Sequence, residues 1–321
     1  MKSIIYKMNL DQIFAAKKIT QSSLNLYKTK LFRLAKTKEI KNLNFLKDES
    51  VIAKEIENLK PSTQRSYYIT IVSFLKCLLL TDKKPIYQTL YDKYYITLKE
   101  FNTKLENTTE KTDTESANWI TQEEVEKKQV QLSSIKDDIK NKKIITELKY
   151  NKLVDYLLLS LYTLNPPRRS IDYINMQVKK KIIDKDIPEL QTNTLDMFNK
   201  RFIFNTYKTK STYKTQIVEI NNELMAIIKL YLKYHPKKKD FSNINFIVNY
   251  DGTPFTSSST LTKRFNKIFK SKISTAMLRK IYLTSKYKKI MNNLKEDAAD
   301  MGTSEKTIKN HYIKKYTNEI N

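Results

Sequence analysis

The sequence predicts a mainly α-helical protein with a small antiparallel sheet, built as an N-terminal helical domain and a larger second domain. Apolar residues recur at steps of three and four over much of the chain, which is the spacing of a helix with one buried face. Residues 106–118 contain no large apolar side chain and are rich in Thr, Glu, Lys and Asp, a composition typical of a linker. Residues 201–220 contain the best candidates for strands.

The N-terminal domain, residues 1–105, is expected to consist of short helices. Residues 22–34 and 48–59 carry apolar side chains at helical spacing. Pro61 is expected to open the next helix, because proline fits the first turn, where its missing N–H is not needed. Cys77 lies in the apolar stretch of that helix and is expected to be a core thiol.

The second domain, residues 119–321, starts with a helix signal. Thr121 and Glu124 have the spacing of a capping box, in which each residue bonds the backbone N–H of the other. An apolar helix over residues 152–164 is expected to end at Asn165, because the two prolines that follow cannot continue it.

The remainder of the second domain mixes strands and helices. Residues 201–220 predict a hairpin, and residues 246–248 predict another short strand. A helix is expected over residues 223–234. From Ser259 onward the spacing is helical, with one break at Gly302.

The charge balance indicates a polyanionic partner, and the rare residues exclude several kinds of chemistry. Lys and Arg number 60 against 34 Asp and Glu, a net charge of +26 that points first to nucleic acid. An AT-rich coding sequence is a second source of lysine, so charge alone does not decide the partner. Two glycines exclude a glycine-rich phosphate loop, and one cysteine with two histidines excludes the familiar zinc sites. No metal and no cofactor are therefore expected.

No segment is expected to enter a membrane. Residues 1–18 mix apolar residues with lysines and lack the apolar stretch of a signal peptide. The longest apolar runs are far shorter than the ~20 residues of a transmembrane helix. An intracellular protein is expected.

Four short segments contain the residues that indicate a chemical reaction. The first follows the 152–164 helix, the second lies at the hairpin turn, the third lies within a helix, and the fourth is close to the C-terminus. They are PPRRSIDY at 166–173, YKTK at 207–210, AMLRK at 276–280, and DMGTS at 300–304 followed by His311 and Tyr312.

Two arginines, a lysine and a tyrosine are sufficient for phosphoryl transfer from DNA without a metal ion. Two guanidinium groups can bind the non-bridging phosphate oxygens and balance the charge that develops on them. A tyrosine phenol can attack the phosphorus and hold the strand covalently. A lysine can protonate the departing 5′ oxygen. Taken alone, each residue also has a plainer explanation: a solvated basic patch for Arg168 and Arg169, an ion pair for Arg279, and a core position for Tyr312.

From about Leu10 to Tyr312 the chain resembles the tyrosine recombinases, the integrase family of phages, large DNA viruses and mobile elements. Its first segment, within LYTLNPPRRSIDY, is similar to that of the branch found in eukaryotic mobile elements and their viruses. The resemblance implies an N-terminal helical core-binding domain of the SAM-like type, followed by a tyrosine-recombinase catalytic domain. It also implies double-stranded DNA as the partner and a homotetramer on synapsed DNA. The location it implies is DNA-associated, with a host nucleus or a viral replication site as the candidates.

The resemblance selects among neighbouring basic residues. The family's first arginine is followed three residues later by an acid, which selects Arg169 with Asp172 rather than Arg168. The family's hairpin lysine stands in a KT pair, which selects Lys208 ahead of Lys210.

The resemblance also assigns the last two catalytic positions. Arg279 fits the second arginine of the H-x-x-R box. Tyr312 lies nine residues beyond Thr303, which occupies the position of the family's last histidine or tryptophan. The implied catalytic set is Arg169, Lys208, Arg279 and Tyr312.

Two positions depart from the family pattern. Ala276 stands where the family has histidine or lysine, and Thr303 stands where it has histidine or tryptophan. Lys280 and His311 are the neighbouring candidates to supply the missing groups. Tyr316 is the alternative nucleophile.

Three functions fit these features: a site-specific recombinase or integrase, a type IB topoisomerase-like enzyme, and a catalytically inactive DNA-binding relative. The helix–turn–helix spacing of residues 297–312 is the basis of the last. Only nine residues follow Tyr312, so a monomer is expected in the absence of DNA. Lysines expected to contact phosphates lie at 28, 30, 36, 38 and 41, and at 263, 267, 270, 272, 280, 286, 288 and 289.

Overall fold

The computed structural model describes residues 8–106, 110–238 and 244–314. The chain divides into two compact units, Met1–Glu110 and Lys111–Asn321, and each has its own apolar core. The division falls inside the segment 106–118, which has the composition of a linker.

The first unit is helical throughout its described residues. Its elements are α1 (Leu10–Ala15), α2 (Gln21–Leu34), a 3₁₀ helix (Asn44–Leu46), α3 (Glu49–Ile56), α4 (Pro61–Thr81) and α5 (Pro85–Glu106). The prediction of short helices is wrong for α4 and α5, which have 21 and 22 residues and pack along one another. Neither helix contains a proline or glycine after its first residue, so nothing interrupts it. Pro61 opens α4 as predicted, and Cys77 is fully buried.

One lysine that was expected to contact phosphates is buried. Lys30 is 7% exposed, its Nζ donates a hydrogen bond to Ser66 Oγ, and it lies 5.2 Å from the ring centroid of Tyr67. Burial lowers the pKa of this lysine. Lys28 forms an ion pair with Asp11 at 2.6 Å. Lys30 is therefore removed from the set of phosphate contacts.

The second unit combines helices with a small sheet. Its helices are α6 (Asp113–Asn118), α7 (Gln122–Leu132), α8 (Ile135–Ile139), α9 (Glu147–Thr163), α10 (Ser170–Ile174), α11 (Lys210–Tyr213), α12 (Asn222–Lys233), α13 (Ser258–Phe269), α14 (Thr275–Asp300) and α15 (Glu305–Thr307). Its strands are β1 (Gln177–Lys179), β2 (Thr194–Asp196), β3 (Arg201–Phe204), β4 (Gln216–Glu219) and β5 (Ile244–Asn245). A 3₁₀ helix (Asp184–Glu189) lies between β1 and β2, and a π-helical turn (Ile308–Tyr312) follows α15. The fold is mainly helical, as predicted. Across the described ranges, no helix has the length and apolar character needed to cross a membrane.

The sheet is mixed, which corrects the prediction of an antiparallel sheet. Its strand order is β4-β3-β2-β1-β5. The predicted hairpin is present as antiparallel β3 and β4, with Phe204 opposite Gln216 next to the connecting loop. Strands β1 and β2 are parallel, because a crossover rather than a tight turn joins them. Strand β5 precedes the predicted strand 246–248, of which Val248 forms one isolated bridge with Pro254.

The predicted linker contains a helix. Thr112 and Glu115 form a capping box at the start of α6, with hydrogen bonds of 3.3 and 3.2 Å between each side chain and the other residue's N–H. At the end of α6, Asn118 Oδ1 accepts hydrogen bonds from Ser271 Oγ at 2.8 Å and from the N–H of Lys272 at 2.9 Å. Polar contacts, rather than apolar burial, therefore hold α6 on the second unit.

Helix α9 runs through the core of the second unit. It packs against α7, α8, α12 and α13, and side chains such as Leu157 are fully buried. It ends at Thr163, just before Pro166 and Pro167, as predicted. Core packing therefore fixes the place where the segment 166–173 begins.

Candidate active site

A cavity of about 290 Å³ lies where the loop after α9, the start of α10, the β3–β4 hairpin and helix α14 meet. Four residues singled out from the sequence line it: Arg168, Arg169, Asp172 and Arg279. The first and third sequence segments, which are far apart in the chain, therefore meet at one place.

Arg169 and Arg279 face this cavity with free donor groups. Arg169 precedes α10, and its half-buried guanidinium has no hydrogen bond or ion pair with any described residue. Arg279 lies in the second turn of α14, and its Nε donates a hydrogen bond to the Pro167 carbonyl at 3.2 Å. That bond leaves its terminal nitrogens, Nη1 and Nη2, without a partner in the described part of the chain.

Arg168 lines the same cavity, but its donors are engaged. Its Nε donates to Asp172 Oδ2 at 3.2 Å, and its Nη1 donates to Gln216 Oε1 at 2.9 Å. The guanidinium carbon lies 3.7 Å from the ring centroid of Phe204 and 5.1 Å from that of Tyr207. Arg168 is therefore less available to a ligand than Arg169.

The carboxyl group of Asp172 is buried beside these arginines. Its side chain is 2% exposed, and burial raises its pKa, while the nearby Arg168 and Arg169 act in the opposite direction. Oδ2 accepts the hydrogen bond from Arg168, whereas Oδ1 has no partner among the described groups.

Buried polar atoms without partners gather at this cavity. Asn165 Nδ2 and Asp172 Oδ1 belong to lining residues, and neither is paired with a described group. Tyr162, which does not line the cavity, is buried behind these residues; burial raises the pKa of its hydroxyl, and it interacts electrostatically with Asp172 and Arg279. About nine-tenths of buried polar groups in proteins are paired, so the Asn165 and Asp172 atoms are exceptions in the described part of the chain.

The hairpin lysines lie at the rim of the cavity. Tyr207 and Thr209 line it, whereas Lys208 between them and Lys210 at the start of α11 are exposed and do not. Neither lysine side chain has a hydrogen bond or ion pair with a described residue. Tyr207 OH donates to the Lys214 carbonyl at 2.6 Å, which closes the loop between the strands.

The last predicted segment does not line the cavity. Tyr312 is 59% exposed, and the side chains of Tyr312 and His311 have no hydrogen-bond partner among the described residues. Thr303 is half-buried, and its N–H donates to the Ala298 carbonyl at 2.9 Å. Tyr316, the alternative nucleophile, lies outside the described residues.

Lys280 and Ala276 do not contribute to the cavity either. Lys280 Nζ forms an ion pair with Glu115 of α6, and Ala276 is exposed. Lys280 therefore contacts α6 and does not line the cavity. The structure brings Arg169 and Arg279 together, with Lys208 at the rim and the predicted nucleophile outside.

The residues that bind Arg168 could not be identified from the sequence. Gln216 and Phe204 were expected only as strand residues, and they meet Arg168 through pairing between distant parts of the chain. Asn165 was expected only as a helix stop, although its amide lies in the cavity. The position of Asn165, a polar residue between the predicted helix and PPRRSIDY, was the one local signal.

The cavity suits a tetrahedral anion. Arginine offers parallel donors that match two phosphate oxygens, and two such groups are free here. No family model, curated protein or solved structure matches the chain. Over the described ranges, no group of three or more His, Cys, Asp or Glu side chains could hold a metal ion.

Proposed function

We propose that the chain is a site-specific DNA recombinase or integrase that cleaves and rejoins strands through a 3′-phosphotyrosyl intermediate. The observation that carries the proposal is the meeting of Arg169 and Arg279, with free guanidinium donors, in one cavity. The net charge of +26 supports DNA as the partner. The helical first unit and the order of the four segments support a core-binding domain of the SAM-like type before a tyrosine-recombinase catalytic domain.

In the proposed reaction, one phosphate ester is exchanged for another. The phenol oxygen of Tyr312 attacks the phosphorus, and the bond to the 5′ oxygen breaks. The phenolic proton passes to water, and Lys208 gives a proton to the departing 5′ oxygen. Arg169 and Arg279 bind the two non-bridging oxygens, on which negative charge develops. Rejoining is the reverse reaction, with the 5′ hydroxyl of a partner strand as the nucleophile.

The reaction requires Tyr312 to approach the cavity when DNA binds. Within the π-helical turn only Ile308 is buried, and the side chains of residues 309–312 are exposed. Few contacts therefore oppose a movement of this segment. Rearrangement of a segment on binding is a common feature of regulated complexes.

We also propose a monomer in the absence of DNA and a homotetramer on two synapsed duplexes. Phosphate contacts from exposed lysines of α13 and α14 provide affinity, which falls as salt is raised. Light scattering at several protein concentrations, with and without duplex DNA, tests this part. A stable oligomer without DNA would contradict it.

A suicide substrate tests the enzymatic proposal. A duplex nicked close to the cleavage site releases a short 5′ fragment after cleavage, so the covalent intermediate accumulates. We expect a denaturation-resistant adduct, with the phosphate on Tyr312 by mass spectrometry, and transfer of the strand to a second duplex. An adduct with plasmid relaxation but no transfer would support the topoisomerase-like alternative instead.

The second candidate is a DNA-binding protein that does not cleave. It is favoured by the position of Tyr312 outside the cavity and by Ala276 and Thr303 at two positions of proton transfer. Duplex binding without an adduct, on substrates selected from bound genomic DNA, would support it.

A further inference from the structure

Arg168 connects the segment before α10 to both strands of the β3–β4 hairpin. Its guanidinium lies 3.7 Å from the ring centroid of Phe204 and donates to Gln216 Oε1 at 2.9 Å. Phe204 and Gln216 are directly opposite one another, and they form the last pair before the loop. Arg168 therefore contacts both ends of the loop 205–215.

The first end of that loop is anchored by Asn193, whose Oδ1 accepts hydrogen bonds from the N–H groups of Asn205 and Thr206, each at 2.8 Å. Beyond this anchor, the described hydrogen bonds of residues 207–214, which include Lys208, join these residues only to one another. Between Thr206 and Gln216 no side chain is buried, and Tyr213 is 62% exposed. Backbone hydrogen bonds within the loop, such as Lys214 N–H to the Lys210 carbonyl at 2.8 Å, give it a shape. They do not determine where the loop lies relative to Arg169 and Arg279.

Arg168 is itself held from the opposite side. Its Nε donates to the carboxyl of Asp172, which is almost fully buried. The three contacts use the planar guanidinium in different ways: one edge binds Asp172, another donor binds Gln216, and the face covers Phe204. Lysine has one compact ammonium group and cannot make all three contacts at once.

We propose that Arg168 is a positioning residue that holds the loop carrying Lys208 at the rim of the cavity. The positioning rests on the contacts alone. Its consequence, that Lys208 protonates the leaving oxygen from this place, rests on the proposed function. Two separate measurements are needed for these two parts.

Hydrogen exchange of the full chain tests the positioning. In Arg168→Lys a cation remains beside Asp172, and Gln216→Ala removes the contact from the other side. We expect both variants to increase the exchange rate of the loop 206–215 by about tenfold or more, with no change in α12. Unchanged loop exchange in Arg168→Lys, or an equal increase in α12, would overturn the proposal.

Arg264 provides a matched control. It also pairs with a largely buried carboxyl, Asp155 at 2.5 Å, donates to the side chain of Asn151 at 2.6 Å, and lies 5.4 Å from the Phe255 ring centroid. Arg264→Lys thus removes the same kind of contacts on α13, away from the hairpin. We expect no change in loop exchange; an increase equal to that of Arg168→Lys would overturn the proposal.

A substrate with sulfur in place of the bridging 5′ oxygen tests the consequence. A thiolate leaves without a proton, since thiols are far more acidic than alcohols. We expect Arg168→Lys to slow cleavage of the ordinary substrate by ~10- to 10²-fold, and the sulfur substrate to restore most of that rate, as it should for Lys208→Ala. If Arg168→Lys lowers the cleavage rate equally on both substrates, the proposal is overturned, and Arg168 would instead bind the phosphate directly. If the wild-type chain cleaves neither substrate, the proposed function fails, and the exchange experiment still decides the positioning.

Discussion

The cavity and the C-terminal segment belong to the same unit but are built in different ways. Around the cavity, Arg168 donates hydrogen bonds to both Asp172 and Gln216, and the surrounding chain is packed on α9. After Gly302 most side chains face solvent, and the phenol of Tyr312 has no hydrogen-bond partner in the described residues. In the proposed enzyme, the groups that stabilise charge are arranged in advance, whereas the nucleophile is placed only when DNA binds.

The variant Tyr312→Phe, which changes the exposed C-terminal segment and leaves the cavity intact, should have the largest effect on catalysis. We expect the covalent adduct to disappear, because phenylalanine has no nucleophile, while duplex affinity stays close to that of the wild type. Gel analysis of the suicide-substrate reaction and a binding titration measure the two quantities. Tyr287→Phe, at an exposed position of α14, is the control. If the adduct persists in Tyr312→Phe and is lost in Tyr316→Phe, the nucleophile is Tyr316 and not Tyr312.

Replacing either Arg169 or Arg279 should cause the next largest loss of cleavage activity. Arg279→Ala and Arg169→Ala should each lower the single-turnover cleavage rate by ~10²- to 10³-fold, the scale for one lost donor to a developing charge. Lys289→Ala, an exposed cation further along α14, controls for the loss of charge. A loss of only a few-fold for both arginines would show that the cavity is not where the phosphate reacts.

His235 lies in the packed body of the second unit, and its burial makes the stability of that body depend on pH. His235 is 1% exposed, and burial lowers its pKa from 6.5 to about 4. Its Nδ1 accepts a hydrogen bond from the N–H of Lys237 at 3.1 Å, and its Nε2 lies 3.1 Å from the Asn245 carbonyl, to which it donates in the neutral form. Protonation of Nδ1 removes that acceptor.

A folded-state pKa below the unfolded value means that the unfolded chain binds the proton more readily. The stability from neutral His235 is therefore fully present above pH 6.5 and is lost as the pH falls toward 4, by about 3 kcal/mol in total. Urea unfolding of the wild type and His235→Gln at several pH values measures this loss. We expect the variant to lose the dependence and His311→Gln to retain it; the same slope in all three proteins would refute the assignment.

The smallest expected effect is on stability, at Gly302, where α14 ends and the C-terminal segment begins. Gly302 has a φ of +60°, and it ends α14 with two hydrogen bonds, its own N–H to Ala299 and that of Thr303 to Ala298. An added Cβ would meet nothing within 4 Å, so the cost of Gly302→Ala is backbone strain alone, about 1 kcal/mol. Chemical denaturation should show this loss, and a smaller one for Gly302→Asn. A larger loss would indicate that the segment is packed more firmly than the exposed side chains indicate.

Local signals were sufficient for the parts of the fold that depend on neighbouring residues. Pro61 opens α4 and Thr121 with Glu124 caps α7, both as predicted. The helix α6 was predictable in the same way, since Thr112 and Glu115 have the spacing that predicted α7. The polar composition of the segment concealed that signal.

Non-local pairing explains what could not be predicted. Strands β1 and β2 have three residues each, too few to show alternation, and their parallel pairing depends on a crossover. Arg168 and Arg169 are adjacent and chemically identical. They differ only because Gln216 and Phe204 come to lie beside the first of them.

The cavity also has a thermodynamic consequence for the free protein. Three guanidinium groups face a single carboxyl there, so folding gathers positive charge that the extended chain keeps apart. An anion that enters relieves this repulsion only in the folded state and so raises the melting temperature in proportion to the logarithm of its concentration. At equal ionic strength, sulfate or phosphate should therefore raise the melting temperature of the wild type more than that of Arg169→Ala. The difference between the two increases measures the repulsion among these guanidinium groups without any DNA present.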